Sequence, residues 1–121
     1  MQITTPVADV VARYLDLSSL ELKLTAQNMA NVDTPGYQTV GFDFGAEMNR
    51  SLQQMESESG TVPTPAIGPV DGLLERPDGN NVSMDREGLK MAEAQLQFRT
   101  GVALLRDEFT RTLDAIHEDE K

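Results

Sequence analysis

Apolar residues return at steps of three and four at both ends of this chain, and in its middle they do not. That contrast limits the fold more than any other feature. From Val7 to about Asn31, Val7, Val10, Val11, Tyr14, Leu17 and Leu24 fall on one side of a helix, the spacing of an amphipathic α-helix about 40 Å long. A second line, Leu15, Leu22 and Met29, runs by sevens on a neighbouring face. From Met84 to about His117, the stripe Met91, Phe98, Val102, Leu105, Phe109, Leu113 and Ile116 is close to a heptad seam. Leu89, Ala92 and Leu96 are expected to widen that face, and Ser83 or Asp85 to cap the helix. Gly88 and Gly101 cost about 1 kcal/mol each inside a helix. Gly101 would permit close approach of another backbone, but is read first as a mild weak spot.

Between the helices, Ala30-Asn31-Val32-Asp33-Thr34-Pro35-Gly36-Tyr37 reads as a helix stop and a tight turn. Asn31 tolerates the left-handed conformation that ends many helices. Thr34 is pushed toward extended backbone by the proline after it. Pro35-Gly36 suits the centre of a type II turn. Val40, Phe42 and Phe44 alternate in a brief extended segment, too interrupted by Gly41 and Gly45 for a stable sheet. Asp43 should cap a short helix running through Met55, with Phe44, Met48, Leu52 and Met55 on one face.

Residues 57–81 hold four of the six prolines and four glycines, which predicts a surface-exposed functional loop or a flexible segment. Val70, Leu73 and Leu74 are its candidate anchors. The stretch before Val7 reads as a loose lead and Glu118 to Lys121 as a solvated, fraying end.

The expected fold is therefore mainly α. Two long terminal helices pair as an antiparallel coiled-coil-like hairpin around a short helix and an irregular, partly extended middle, with termini mobile in the free monomer. The chain is one domain: first helix 7–31; turn, extended segment and short helix 32–56; Pro/Gly-rich loop 57–82; last helix 83–117. Two helices alone cannot bury both apolar lines of the first, so neighbouring copies or partners are expected to complete the ordering.

Composition narrows the function. Twenty acidic against ten basic residues give a formal net charge of -10, which repels phosphates and argues against nucleic acid. The absence of cysteine removes disulfides and thiolate metal sites. Met1 to Val11 lacks the pattern of a cleavable signal, and no window reaches the roughly 20 apolar residues of a membrane span. His117, the one histidine, sits among acidic residues without partners for catalysis or ligation. Asp85 and Glu87, and Glu118 to Glu120, are explained by capping and solvation at helix ends. Phosphate loops, nucleophile elbows and zinc spacings are missing. The expectation is no catalytic, cofactor-binding or metal residue, no cofactor and no enzyme.

Ala26 to Tyr37 read together as A-x-N-x-A-N-x-x-T-x-G-Y, with Asn28, Asn31, Thr34, Pro35, Gly36 and Tyr37 in fixed register. This resembles the N-terminal signature of the bacterial flagellar axial proteins: rod, hook and hook-associated subunits. Asp78-Gly79-Asn80-Asn81-Val82-Ser83-Met84-Asp85-Arg86-Glu87 is similar to a D-G-N-x-V-x-x-D-x-E element of a proximal rod subunit of that family. The resemblance covers the whole chain, most weakly in the Pro/Gly loop. It departs in the last helix, where the group often carries an Asn and then Tyr-Gln; here Ala94-Gln95 and Phe98-Arg99 stand in that region.

The resemblance implies a non-enzymatic subunit of the flagellar basal body rod, assembling helically as part of the drive shaft and export channel. Such a subunit is periplasmic and leaves the cell unfolded through the flagellar type III export apparatus without a cleaved signal. Its implied partners are copies of itself, the rod subunits FlgC, FlgF and FlgG, FliE, and the membrane ring and export gate, with no membrane insertion. Val10, Tyr14, Leu17, Leu24, Phe98, Val102, Leu105 and Phe109 are the expected packing positions, and Asn28 and Asn31 the expected hydrogen-bonding anchors. Two alternatives remain: FlgC itself, which shares the signature but usually carries a Tyr-Pro-Asn-Val element absent here, and a soluble helical-hairpin binding module or secretion adaptor.

Overall fold

The structure, a computed structural model, describes residues 5–57 and 61–119. Residues 1–4 of the loose lead expected before Val7, residues 58–60 of the loop, and Glu120 and Lys121 of the expected frayed tail lie outside the described residues, while Thr5 and Pro6 of that lead are the ordered start of the first helix. The element order is α1 (Pro6–Ala30), β1 (Val40–Gly41), α2 (Phe44–Glu56), β2 (Gly68–Pro69) and α3 (Met84–Asp119).

Local chemistry sets the boundaries. The Thr5 hydroxyl accepts from the Ala8 amide, and Pro6 occupies the first turn of α1, where its missing N–H costs nothing. Asp43 caps α2 through the Ala46 amide, and Ser83 caps α3, its Oγ accepting from the Arg86 amide. At the end of α1, Asn31 does not enter the left-handed region: its φ is -102°. Its side chain works instead. The amide donates to the Gln27 carbonyl at 2.8 Å while Oδ1 accepts from the Thr34 hydroxyl at 3.1 Å. The turn that follows closes with the Tyr37 amide donating to the Thr34 carbonyl, and Gly36 takes φ 75° in the third position, the pattern of a type II turn.

The long helices α1 and α3 pack antiparallel. At one end the Asn28 side chain meets Glu87; at the other the Thr5 hydroxyl donates to Glu108 at 2.8 Å. Midway, a Cβ on Gly101 would stand 2.6 Å from Leu15 Cδ2 and 3.2 Å from the Tyr14 ring. Gly101 is thus a point of close approach, not a weak spot. That proximity corrects the expected seam. The buried residues of α3 are Glu87, Ala94 and Gly101, one heptad apart, because only small or hydrogen-bonded side chains fit the narrow gap. Met91, Val102 and Leu105 are half-buried on the flank, and Phe98, Phe109, Leu113 and Ile116 are exposed. Leu89 and Leu96 do not widen the buried face; they are exposed.

The same reversal occurs in α2. Phe44 and Met48 are half-buried, but Leu52 and Met55 point outward, and Glu47 and Ser51 are the buried pair. Arg13 of α1 explains it. Its Nε donates to the Ser51 hydroxyl at 2.7 Å and its Nη2 to the Pro63 carbonyl at 2.6 Å. Glu47 in turn accepts from the Ala66 amide and from Arg50. Polar side chains thereby hold residues 61–66, part of the segment expected to be a surface-exposed loop or flexible. Val40 pairs with Pro69 and Gly41 with Gly68 in a minimal antiparallel ladder, and the Val70 amide donates to the Thr39 carbonyl. Val70 and Leu73 are half-buried, whereas Leu74 is 92% exposed and anchors nothing.

Among the described residues, buried polar side chains outnumber buried apolar ones: the apolar core is Val11, Leu17, Leu24, Val82 and Ala94. No helix among them is long and apolar enough to cross a membrane.

Candidate functional site

The two motifs that stand 40 residues and more apart in sequence meet in space around Asn28. This side chain, 1% exposed, makes every hydrogen bond an amide can make. Its Nδ2 donates to the Val40 carbonyl at 2.9 Å and to Glu87 Oε2 at 3.0 Å. Its Oδ1 accepts from the Tyr37 hydroxyl at 2.9 Å and from the Val40 amide at 3.1 Å. The amide therefore acts as a strand partner for Val40 on one side and as a tie to α3 and the turn on the other. Glu87, also 1% exposed, is not a solvated helix-end carboxylate. Its second oxygen takes a 2.6 Å charge-assisted bond from Arg86.

Asn80 and Asn81 extend the lock. Asn80 is fully buried; its Nδ2 donates to the carbonyls of Asn31 and Thr34, both at 2.9 Å, and its Oδ1 accepts from the Val82 amide. The last carbonyl of the α1 cap and the first of the tight turn are thus satisfied by one side chain. Asn81 accepts from the Thr39 amide at 2.7 Å and donates to Gln38. The Gly36 amide donates to the Asp78 carbonyl at 2.9 Å, and the Arg76 guanidinium to the Val32 carbonyl. Gly79, at φ 86°, comes so near Gly36 that a Cβ there would lie 3.3 Å from its Cα. Pro35 is exposed at the tip of the turn.

The expected packing residues do not form one site. Leu17 and Leu24 are buried, Val10 and Tyr14 half-buried. Tyr14 meets Phe44 edge-on at 5.5 Å between ring centroids, and Phe44 is 6.3 Å from Phe42, which seats the segment after the turn against the outer side of α1. Val102 and Leu105 lie beside the helix pair, and Phe98 and Phe109 face outward. Sequence reasoning passed over Arg13, Glu47, Asn80 and Asn81 as site residues. Glu87 was visible as the last residue of its motif, but its burial was not.

Beside the lock lies an open groove of about 730 Å³ whose lining includes Glu21, Asp43, Asp71, Arg86, Glu87, Lys90 and Glu93. Its carboxylates are largely committed: Asp43 caps α2, Glu87 holds Asn28, and Glu93 faces Lys90 at 3.9 Å. Glu21 has its pKa raised, first by burial, against the opposing pull of Lys90 and Arg86 and with help from Glu87 and Glu93. Among the described residues no three His, Cys, Asp or Glu side chains gather where a metal could be held.

The arrangement is a device for fixing a turn and a ribbon against a helix pair. No family model matches the chain. The flagellar basal body rod protein FlgB of Salmonella typhimurium is 31% identical over 108 residues, covering 75% of this chain and 78% of that protein. FlgB of Escherichia coli is 32% identical with the same coverage. FlgB of Cereibacter sphaeroides is 35% identical over 121 aligned positions, covering 88% of this chain and 91% of its own. The chain belongs to the FlgB family. It is a component of the flagellar basal body rod, located at the basal body, in a family of structural proteins. The lock thus commits its buried polar groups to architecture.

Proposed function

We propose that the chain is a structural subunit of the proximal rod, stacking helically with its own copies and with other rod subunits to form part of the drive shaft and of the channel through it. In this reading α1 and α3 are the assembly helices, and Val10, Tyr14, Leu17, Leu24, Phe98, Val102, Leu105 and Phe109 carry packing within and between subunits. FlgC, FlgF, FlgG, FliE, the membrane ring and the export gate are its neighbours. The subunit reaches the periplasmic side through the flagellar type III apparatus without a cleaved signal.

One observation carries the reading. The apolar flank of α3 continues through Phe109, Leu113 and Ile116, exposed, past the level where Thr5 meets Glu108. Contiguous exposed apolar surface of this kind marks an interaction site. Replacing Val102 or Leu105 with Asp is expected to abolish swimming and rod assembly while export continues; normal motility would overturn the packing assignment. Deleting the gene and imaging basal bodies should show loss of everything above the membrane ring.

A further inference from the structure

A chain with a formal net charge of -10 repels its own copies, so side-by-side association needs local charge complementarity. Most basic side chains are already engaged. Arg50, Arg86 and Arg111 pair with carboxylates, Arg76 with Asp78, and Arg13 is held by Ser51 and Pro63. Among the described residues only two arginines have neither a side-chain hydrogen bond nor an ion pair: Arg99 and Arg106, both exposed. They stand seven residues apart on α3, on one face, about 10 Å from each other and roughly 150° around the helix from Gly101, hence turned away from α1. They edge the outward apolar flank formed by Phe98 and Val102.

The matching surface is on the other side of the molecule. Between α1, α2 and the loop after it lies a groove of about 420 Å³ lined in part by Ala12, Met55, Val62 and Pro63, with Arg13 and Ser51 also on its surface and Val62 67% exposed. Its α1 wall carries Asp9 and Asp16, also seven residues apart, exposed, and without a side-chain partner among the described residues. Heights agree as well as spacing. The contacts of Gly101 with Tyr14 and Leu15, and of Thr5 with Glu108, set an antiparallel register that places Asp16 about level with Arg99 and Asp9 about level with Arg106. No residue of α3 lines the groove, so the two pairs cannot meet within one chain.

We propose that the α3 flank around Phe98 and Val102 docks in the α1–α2 groove of a second copy, with Arg99 and Arg106 opposite Asp16 and Asp9. Two different faces make this a heterologous contact, which repeats from copy to copy and leads to a ring or a helical array instead of a closed two-fold dimer. The charges set register and orientation as the flanking charges of coiled coils do. The proposal rests on the reading of the chain as a rod subunit that packs against its own copies, and it names the faces.

Sedimentation of the full chain tests it. Arg99→Glu/Arg106→Glu and Asp9→Lys/Asp16→Lys are each expected to weaken self-association about tenfold. An equimolar mixture of the two should restore it, because the reversed flank of one then fits the reversed groove of the other. A merely structural role cannot produce that rescue. Wild-type protein that stays monomeric at millimolar concentration, or reversals that associate like wild type, would overturn the proposal. A second arm uses the absence of cysteine: Asp16→Cys/Arg99→Cys, oxidised in isolated basal bodies, should give a ladder of cross-linked multimers. Basal bodies that contain this variant but yield only monomer defeat the docking alone. Basal bodies without the wild-type chain defeat the rod reading, and sedimentation then decides the docking by itself.

Discussion

The lock around Asn28 and the outer half of α3 are built on opposite terms. In the lock, polar groups are buried and every one of Asn28's donors and acceptors is met inside the chain. In the outer half of α3, apolar groups are left in water: Phe109 is 54% exposed, and Leu113 and Ile116 keep it company. A buried polar group is costly only when a partner is removed, whereas an exposed apolar group gains only when a partner arrives. The first region therefore governs whether the isolated chain is folded; the second governs what the folded chain does next.

The sharpest way to break that contrast is Asn28→Leu, which leaves Glu87 with Arg86 alone and takes the Asn28 partner from the Tyr37 hydroxyl and from both backbone groups of Val40. It should cost about 3–5 kcal/mol, read as a fall in the urea midpoint; an unchanged midpoint would mean the network is incidental. Gly36→Val comes next. Open space surrounds the position but its φ is 75°, so the cost is backbone strain alone, of order 1–3 kcal/mol, and a wild-type midpoint would contradict the type II turn. Glu21→Gln probes the groove. Because the folded-state pKa of Glu21 is raised, its stabilising contribution is present below the ordinary carboxylate range and lost as pH rises through the folded pKa. The substitution should therefore stabilise the fold at neutral pH by less than about 1 kcal/mol after solvent screening, read as a small rise in melting temperature, and the gain should vanish in acid. Smallest of all is Phe109→Ser, expected within about 0.5 kcal/mol of wild type in the isolated chain yet defective in rod assembly. A large loss of monomer stability there would erase the distinction between the two regions.

Much of the frame was legible in the residue order because it depends on near neighbours. Asp43 caps α2 across three residues, Pro35 and Gly36 shape a four-residue turn, and 3.6-residue periodicity announces α1 and α3. The inward faces were not legible. Large apolar residues were expected to mark them, but the close approach at Gly101 leaves room only for Ala94 and Gly101, and a hydrogen-bonded Glu87, along α3. Met55 and Leu52 were displaced outward because Arg13 reaches Ser51 across 38 positions. Residues 61–81 look unstructured by composition, since part of their order comes from arginine, glutamate and glutamine side chains elsewhere, Arg13, Glu47 and Gln38, that take up their backbone groups.

By itself, the sequence determined the two helices, the turn between α1 and β1, the caps that open α2 and α3 and, through two short motifs, the family. Tertiary structure alone decided which side of each helix is buried, that Asn28 and Glu87 meet, and that Arg99 and Arg106 are left with Asp9 and Asp16 on the opposite side of the molecule. The physical reason is range. Periodicity, capping and turn chemistry act over a few residues and can be read in order, whereas the distance between two helix backbones is set by the smallest side chain at their crossing, and that distance decides the fate of every larger one.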